Sequence, residues 1–367
     1  MELIVENNQE ILNSSHLKIK YQLPFINAVV IELDNSQYKD FLDLPFVKPI
    51  YTSSEITAQM NHARAVIHRE GLPYTGKGIT IASLDTGIAP IEDFTIPENR
   101  ILAFTDFINH HTTPYDDNGH GTHTCGIALG NGYLSGGKYA GIAPQANLVA
   151  VKTLDHQGKG NASNVLAGMQ WILDNKEKYN IKIANLSIGT ENTDHNDPLV
   201  IAAEALWDSG ITVVTAAGNN GPAPGSISSP GISKKIITVG SSDDHNQVTI
   251  SGNHLQNFSG RGPTRECIIK PDVIAPGTNI MSCLSPQCKK GEIMGSKYIS
   301  ISGTSMSTPM VSGAIALLLE KYPSLQPNDI KLMLKKSCHT LNYPPNKQGW
   351  GLLDIENLLS QEAQYVR

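Results

Sequence analysis

ITIASLDTGI, residues 79–88, is an apolar run that ends in a carboxylate, Asp85, and turns at once through Thr-Gly. A bare buried charge is very costly, so Asp85 is either an ordinary turn cap or a carboxylate held by partners from elsewhere in the chain. The run itself has the continuous apolar character of a strand covered on both faces. Four more follow: ANLVAVKTL (146–154), IKIANLSIG (181–189), ITVVTAAG (211–218) and KIITVGSS (235–242). Between them lie helical stretches, NVLAGMQWILDNKEKY (164–179) and PLVIAAEALWDSG (198–210). Strands of this kind joined by helices predict an α/β domain built as three layers around a parallel sheet. In such sheets function collects where the carboxyl ends of strands run into loops.

The chain has 367 residues, a formal net charge of −6 and 17 % charged residues without a long basic or acidic run. No nucleic-acid footprint is present, and no eighteen-residue apolar segment suggests a membrane span. The acidic start, MELIVENNQE, lacks the basic flank and apolar stretch of a signal peptide. Five widely spread cysteines make a poor disulfide framework. The expectation is a cytoplasmic chain, or a secreted one if the sequence is trimmed.

Two further stretches carry chemistry. DDNGHGTHTCGIALG (116–130) sets His120 and His123 three apart, which suits a metal site, a base beside a structural histidine, or two satisfied polar groups. No carboxylate stands at helical spacing as a third ligand. GTSMSTPMVSG (303–313) leads into the apolar run AIALLLEKY and puts Ser305 in the first turn of a buried helix. A hydroxyl there is either a helix cap or a nucleophile beside N–H groups that favour a developing anion. Pro309 cannot donate to the Ser305 carbonyl, so a distorted first turn is expected, with Ser307 and Ser312 as cap or packing residues at most. Taken together, a serine, an imidazole and a buried carboxylate are what acyl transfer requires.

LDTGI, GHGTHTCGIALG, GIAPQANLVAVKTLD, NLSIG, AAGNNGP, KPDVIAPG and GTSMSTPMVSGAIALLL occur in that order across roughly residues 76 to 355. The series resembles the subtilisin-like serine proteases. SGGKYAGIAP and FSGRGP are closest in flavour to bacterial intracellular subtilases. The resemblance implies a subtilisin-like fold and endopeptidase activity, with Asp85 as the orienting carboxylate, His120 as base and acid, Ser305 as nucleophile and Asn219 as oxyanion donor. It also implies that Gly158, Lys159 and Gly160, with Ser187, Ile188 and Gly189, pair with the substrate backbone. Ala216, Ala217 and Gly218, together with the loop at Ser228, would form the primary specificity pocket, shallower for having Ser228 where many relatives carry glycine.

Cys125 lies one position later than the cysteine of thiol-containing subtilases and reads best as a small buried apolar residue. The family needs no cofactor for its chemistry. A structural calcium ion has one matching carboxylate, Asp93, and GNGYLSGGKY (130–139) spells no complete site.

Residues 17–60 read as a separate small α+β module: strands in LKIKY and AVVIEL, a helical stretch near SQYKDFL and an extended KPIYTS. Their similarity to the second half of a subtilisin propeptide implies domains at 1–60 and 61–367, with the tail of the first in the substrate cleft and a cut between Met60 and Asn61. The first strand and helix of a full propeptide look shortened. The implied partners are a peptide or protein substrate and the chain's own propeptide. Two rivals to a serine endopeptidase are a non-catalytic peptide-binding scaffold of the same fold and a metallohydrolase using His120 and His123.

Overall fold

The computed structural model describes residues 2–6, 17–23, 28–33, 41, 49–52, 60–250, 252–288 and 296–362. The chain divides into two units, Met1–Thr57 and Ala58–Arg367.

In the first unit, β1 (Glu2–Glu6), β2 (Lys18–Leu23), β3 (Ala28–Glu32) and β4 (Pro49–Thr52) form a sheet in the order β2-β3-β1-β4. Adjacent strands run antiparallel, and β1 lies in the middle of the sheet between β3 and β4. β1 is not among the strands the sequence led us to expect in this unit; its apolar centre, Leu3-Ile4-Val5, is what an inner strand needs. The expected helix near SQYKDFL lies outside the described residues except for Phe41, which is buried.

The second unit is built on a seven-stranded parallel sheet in the order β13-β10-β9-β8-β5-β7-β6. Its members are β5 (Thr80–Asp85), β6 (Ile101–Asp106), β7 (Asn147–Lys152), β8 (Ile181–Leu186), β9 (Thr212–Ala216), β10 (Ile237–Ser241) and β13 (Val273–Ala275). Two hairpins lie outside it, β11 (Val248–Ile250) with β12 (Asn253–Leu255) and β14 (Ile280–Cys283) with β15 (Tyr298–Ile301). All five expected strands are in the sheet. The two additions, β6 and β13, are its edges: β6 is half-exposed and β13 only three residues long, so neither shows a continuous apolar run.

Helices cover both faces of this sheet. Ala162–Asn175 packs against Pro198–Asp208 and against β5. The helix Thr304–Lys321, here the serine helix, packs on β5, β8, β9, β10 and β13. Residues 306–319 of it are all buried, so its sequence is apolar on every side and small where neighbours crowd it. The helix His120–Leu129, here the histidine helix, lies against the serine helix, β5 and β7.

The order of strands decides where chemistry can occur. From β5 the chain goes outward to β6 and returns through β7, then crosses to β8 and runs outward on the other side. Strand order therefore reverses at β5, and the crevice at a reversal opens above the carboxyl ends of the strands. Asp85 is the last residue of β5, Ser187 follows the end of β8 and Asn219 lies three past the end of β9. Since β9, β8 and β5 are neighbours, the three residues share one edge of the sheet.

Candidate active site

Asp85 is buried, and its charge is answered on every side. Its Oδ1 accepts from His120 Nδ1 at 2.7 Å and from the Thr86 N–H at 2.7 Å, while Oδ2 accepts from the Thr124 hydroxyl at 3.2 Å. A neutral His120 that donates from Nδ1 to a carboxylate keeps the lone pair of Nε2 as its basic site. Glycine lets the histidine helix come so close: a Cβ at Gly121 would stand 2.2 Å from the Gly87 carbonyl oxygen.

His120 opens its helix after Gly119, which has no side chain to cap it, and Asp116 does so from three residues upstream. The buried Asp116 carboxylate accepts from the N–H groups of Asn118, Gly119 and Thr122 and from the hydroxyls of Thr86 and Thr122. Charge at a helix N-terminus is favourable, and five donors offset its burial. Asn118 adds a link: its Oδ1 accepts the His120 N–H, and its Nδ2 donates to the His156 carbonyl, tying the histidine to the loop after β7. Lys152 is fully buried at the end of β7, where its Nζ donates to Asp117 and to the carbonyls of Thr86 and Leu154. Sequence reading passed over all of these. Asp116 carried a signal, an acidic residue just ahead of a helix start, and so did Lys152, a lysine inside an apolar strand.

Ser305 is the second residue of the serine helix, so its N–H has no partner within the helix. Gly303 before it has φ 145°, which a side chain would resist. The Ser305 hydroxyl donates to the Ser187 carbonyl at 3.1 Å. Asn219 is oriented by its own oxygen, which accepts from the N–H (3.0 Å) and the hydroxyl (3.1 Å) of Thr304. With the oxygen so held, the amide's N–H donors are the groups it can offer to a ligand.

His120, Ser305 and Asn219 line one cleft of about 950 Å³. Gly158, Lys159 and Gly160 stand on one side, with Ser187, Ile188 and Gly189 among the other lining residues. The first segment is shaped by Asp155, whose Oδ1 accepts from the N–H groups of Gln157 and Lys159, while its own N–H donates to the Lys159 carbonyl. Those N–H donors hold the Asp155 carboxyl below its ordinary range.

Of the expected pocket residues, Ala216 and Ala217 are buried at and just past the end of β9. Ser228 stands between Gly218 of the expected pocket wall and Gly189 of the expected substrate-pairing segment: a Cβ on Gly218 would meet its Oγ at 2.0 Å, and one on Gly189 would meet its Cβ at 2.9 Å. The serine side chain occupies the slot that a glycine would leave open.

His123 is no partner of His120 in a metal site. It is fully buried, and its Nε2 lies 3.0 Å from the carbonyls of Ile280 and Ile299, so the proton sits on Nε2. Its Nδ1 has no partner among the described residues. Burial, with the nearby His120 adding to it, pushes its pKa down to about 3. Between that value and an ordinary histidine's 6.5 the unfolded chain binds a proton that the folded one refuses, so stability falls as pH drops below 6.5. About 2 kcal/mol should be lost to this group between pH 6.5 and 5, read as a steeper pH slope of urea unfolding in the wild type than in His123→Gln.

Cys125 is buried with its thiol pushed up by burial, which suits a packing residue rather than a nucleophile. Asp93 is fully buried, and its carboxylate accepts from the Tyr298 hydroxyl, 2.9 Å from Oδ1 and 3.0 Å from Oδ2. One carboxylate with a hydroxyl donor beside it supplies only part of the oxygen ligand set that calcium requires. Among the described residues no group of three or more His, Cys, Asp or Glu side chains is placed to hold a metal ion.

The sequence profile of the subtilase family matches residues 76–351, more than half of the chain. The chain belongs to the subtilase family. It is 40 % identical to the serine protease AprX of Bacillus subtilis (strain 168) over 361 residues, 93 % of this chain and 80 % of that one. Subtilisin E of the same organism is 30 % identical over 363 residues, 95 % of this chain and 84 % of that one. Among solved structures, a cold-adapted subtilisin-like serine proteinase superposes with a TM-score of 0.61 at 29 % identity, covering 77 % of this chain and 91 % of that one. A psychrophilic protease, S41, gives 0.65 at 27 % identity, covering 80 % and 96 %. This subtilase is a subtilisin-like serine endopeptidase, an enzyme class that uses no cofactor in its chemistry and acts on peptides or proteins.

Proposed function

We propose that this endopeptidase works through Asp85, His120 and Ser305, with Asn219 as an oxyanion donor. The observation that carries the reading is the 2.7 Å bond from His120 Nδ1 to the buried Asp85, in the cleft that Ser305 and Asn219 also line. For acylation the Ser305 hydroxyl leaves the Ser187 carbonyl and passes its proton to His120 Nε2 as Oγ attacks the scissile carbonyl. Asp85 stabilises the imidazolium. The Asn219 amide and the Ser305 N–H receive the negative oxygen. His120 then protonates the leaving amine, and a water activated by the same nitrogen releases the acyl group.

Substrate backbone lies between the 158–160 and 187–189 segments, pairing with main chain and so accepting varied sequences. Ser228, wedged between Gly189 and Gly218, makes the first side-chain pocket shallow and favours small or flexible residues over large rings. Residues 1–60 act as a propeptide that is removed by self-processing. Met60 and Asn61 begin the helix Met60–Val66, so a cut between them requires that first turn to unwind into an extended strand. The cytoplasm is the proposed location, supported by five cysteines too widely spread along the chain to make a disulfide framework.

A fluorophosphonate probe tests the reading: matured wild-type protein should take one label and Ser305→Ala none. Equal behaviour of the two, both unlabelled, favours the peptide-binding scaffold instead. Asn219→Leu should keep KM within about twofold and lower kcat by about 10²–10³, a scale borrowed from subtilisin. A kcat within threefold of wild type would remove Asn219 from the oxyanion site.

A further inference from the structure

Pro309 leaves the Ser305 carbonyl without the N–H that a regular helix would supply four residues on. A buried carbonyl does not stay unpaired without cost. Here the Ser187 hydroxyl takes the place of the missing N–H, donating to the Ser305 oxygen at 3.1 Å. The pairing is reciprocal, since the Ser305 hydroxyl donates to the Ser187 carbonyl.

The Ser187 hydroxyl is itself directed. It accepts from Asn185 Nδ2 at 3.0 Å, and the Asn185 oxygen accepts from the Ser312 hydroxyl at 2.8 Å. Asn185 is 2 % exposed, Ser187 4 % and Ser312 0 %, so bulk water cannot stand in for any link. The shortest bonds run in one direction, Ser312 to Asn185, Asn185 to Ser187, Ser187 to Ser305, the alternative for Ser312 being the more distant Thr308 carbonyl at 3.4 Å. The relay begins on the serine helix two turns after the nucleophile, crosses to β8 and returns to the nucleophile's own carbonyl.

We infer that Ser312, Asn185 and Ser187 form a positioning relay that holds the Ser305 backbone, and with it Oγ, in register with the cleft. The helix is broken by proline at the one carbonyl whose residue must react, and the relay replaces a backbone bond with a side-chain bond from the substrate-facing segment. Positioning of Ser305 is thereby coupled to the position of Ser187, whose main chain lies along the cleft. The relay's side chains act on the Ser305 carbonyl, and only the main-chain carbonyl of Ser187 meets Oγ, so the three are positioning residues and not catalytic ones. The inference rests on the reading of Ser305 as nucleophile.

The test is the rate of acylation of the full chain by a fluorophosphonate, after a trace of wild-type enzyme too small to register has completed any processing. Wild type, Ser187→Ala, Ser312→Ala and the double variant are compared, each with a melting temperature above that of the assay. Ser187→Ala should slow labelling about tenfold, the kinetic worth of one buried hydrogen bond, and Ser312→Ala about threefold. The double variant should match Ser187→Ala alone, because the relay has already been cut below Ser312. With a peptide substrate the loss should appear in kcat, with KM within twofold. A Ser187→Ala rate within twofold of wild type, or losses that multiply in the double variant, would overturn the relay while leaving the nucleophile assigned. A wild type that takes no label would overturn both.

Discussion

Ser305→Ala should lower kcat by about 10⁶-fold, the scale reported for the loss of the equivalent serine in subtilisin. The neighbouring hydroxyls cannot take over. Ser307 donates into the core, to the Ala275 carbonyl at 2.9 Å, and Thr304 is committed to Asn219. Ser187 is buried in its contact with the Ser305 carbonyl. What survives is the oxyanion site, which by itself still accelerates hydrolysis about 10³-fold over water. Removing one hydroxyl should leave KM almost unchanged, because in the proposed binding mode substrate is held by main chain at 158–160 and 187–189. Steady-state kinetics on a chromogenic peptide, with the fluorophosphonate as active-site titrant, read both quantities. A variant that retains more than about one per cent of wild-type kcat would show that another group attacks the carbonyl.

Asp85→Ala should cost about 10⁴ in kcat, again a scale set by subtilisin. Two things are lost together: the acceptor that keeps the His120 proton on Nδ1, and the charge that stabilises the imidazolium in the transition state. Asp85→Asn separates them. The Thr86 N–H and His120 Nδ1 both point to Oδ1, whereas Oδ2 receives only a hydroxyl, Thr124, that can turn and accept. The amide oxygen should settle at the Oδ1 position, so the tautomer is kept and only the charge goes. Asp85→Asn is therefore expected to lose less than Asp85→Ala, by about tenfold, the kinetic worth of the one orienting hydrogen bond it retains. Equal losses would mean that orientation contributes little and charge nearly everything. Rates measured from pH 6 to 9 complete the comparison, since both variants should titrate His120 at a lower pH than wild type once the carboxylate is gone.

Much of this was legible in the sequence because the signals are local. Apolar runs of five or six residues, each followed by a turn, mark β5, β7, β8, β9 and β10 whatever lies around them. The same local reading missed β6, whose edge position relaxes the need for apolar residues, and β13 and β1, whose apolar stretches are only three residues long. Of the candidate site, Asp85, His120, Asn219 and Ser305 were named from their motifs. Ser312 was read as packing because its sequence neighbours are all apolar; its partner, Asn185, is 127 residues away.

Distance along the chain separates what the sequence by itself determined from what only the tertiary structure decided. The sequence determined the class of fold, the succession of strands and the residue types that chemistry needs at their ends, since each follows from backbone preference and burial within a few residues. It did not decide who answers each buried polar group. His123 turns to the carbonyls of Ile280 and Ile299, and Asp93 to Tyr298, 205 residues away. Ser228 fills the gap between Gly189 and Gly218, and Ser187 replaces the N–H that Pro309 lacks. A buried donor or acceptor must be paired, but which group pairs with it depends on what the folded chain brings within about 3 Å. That is why the candidate nucleophile could be named from its motif taken with those of Asp85, His120 and Asn219, while the proposed relay became visible only when β8 was laid against the serine helix.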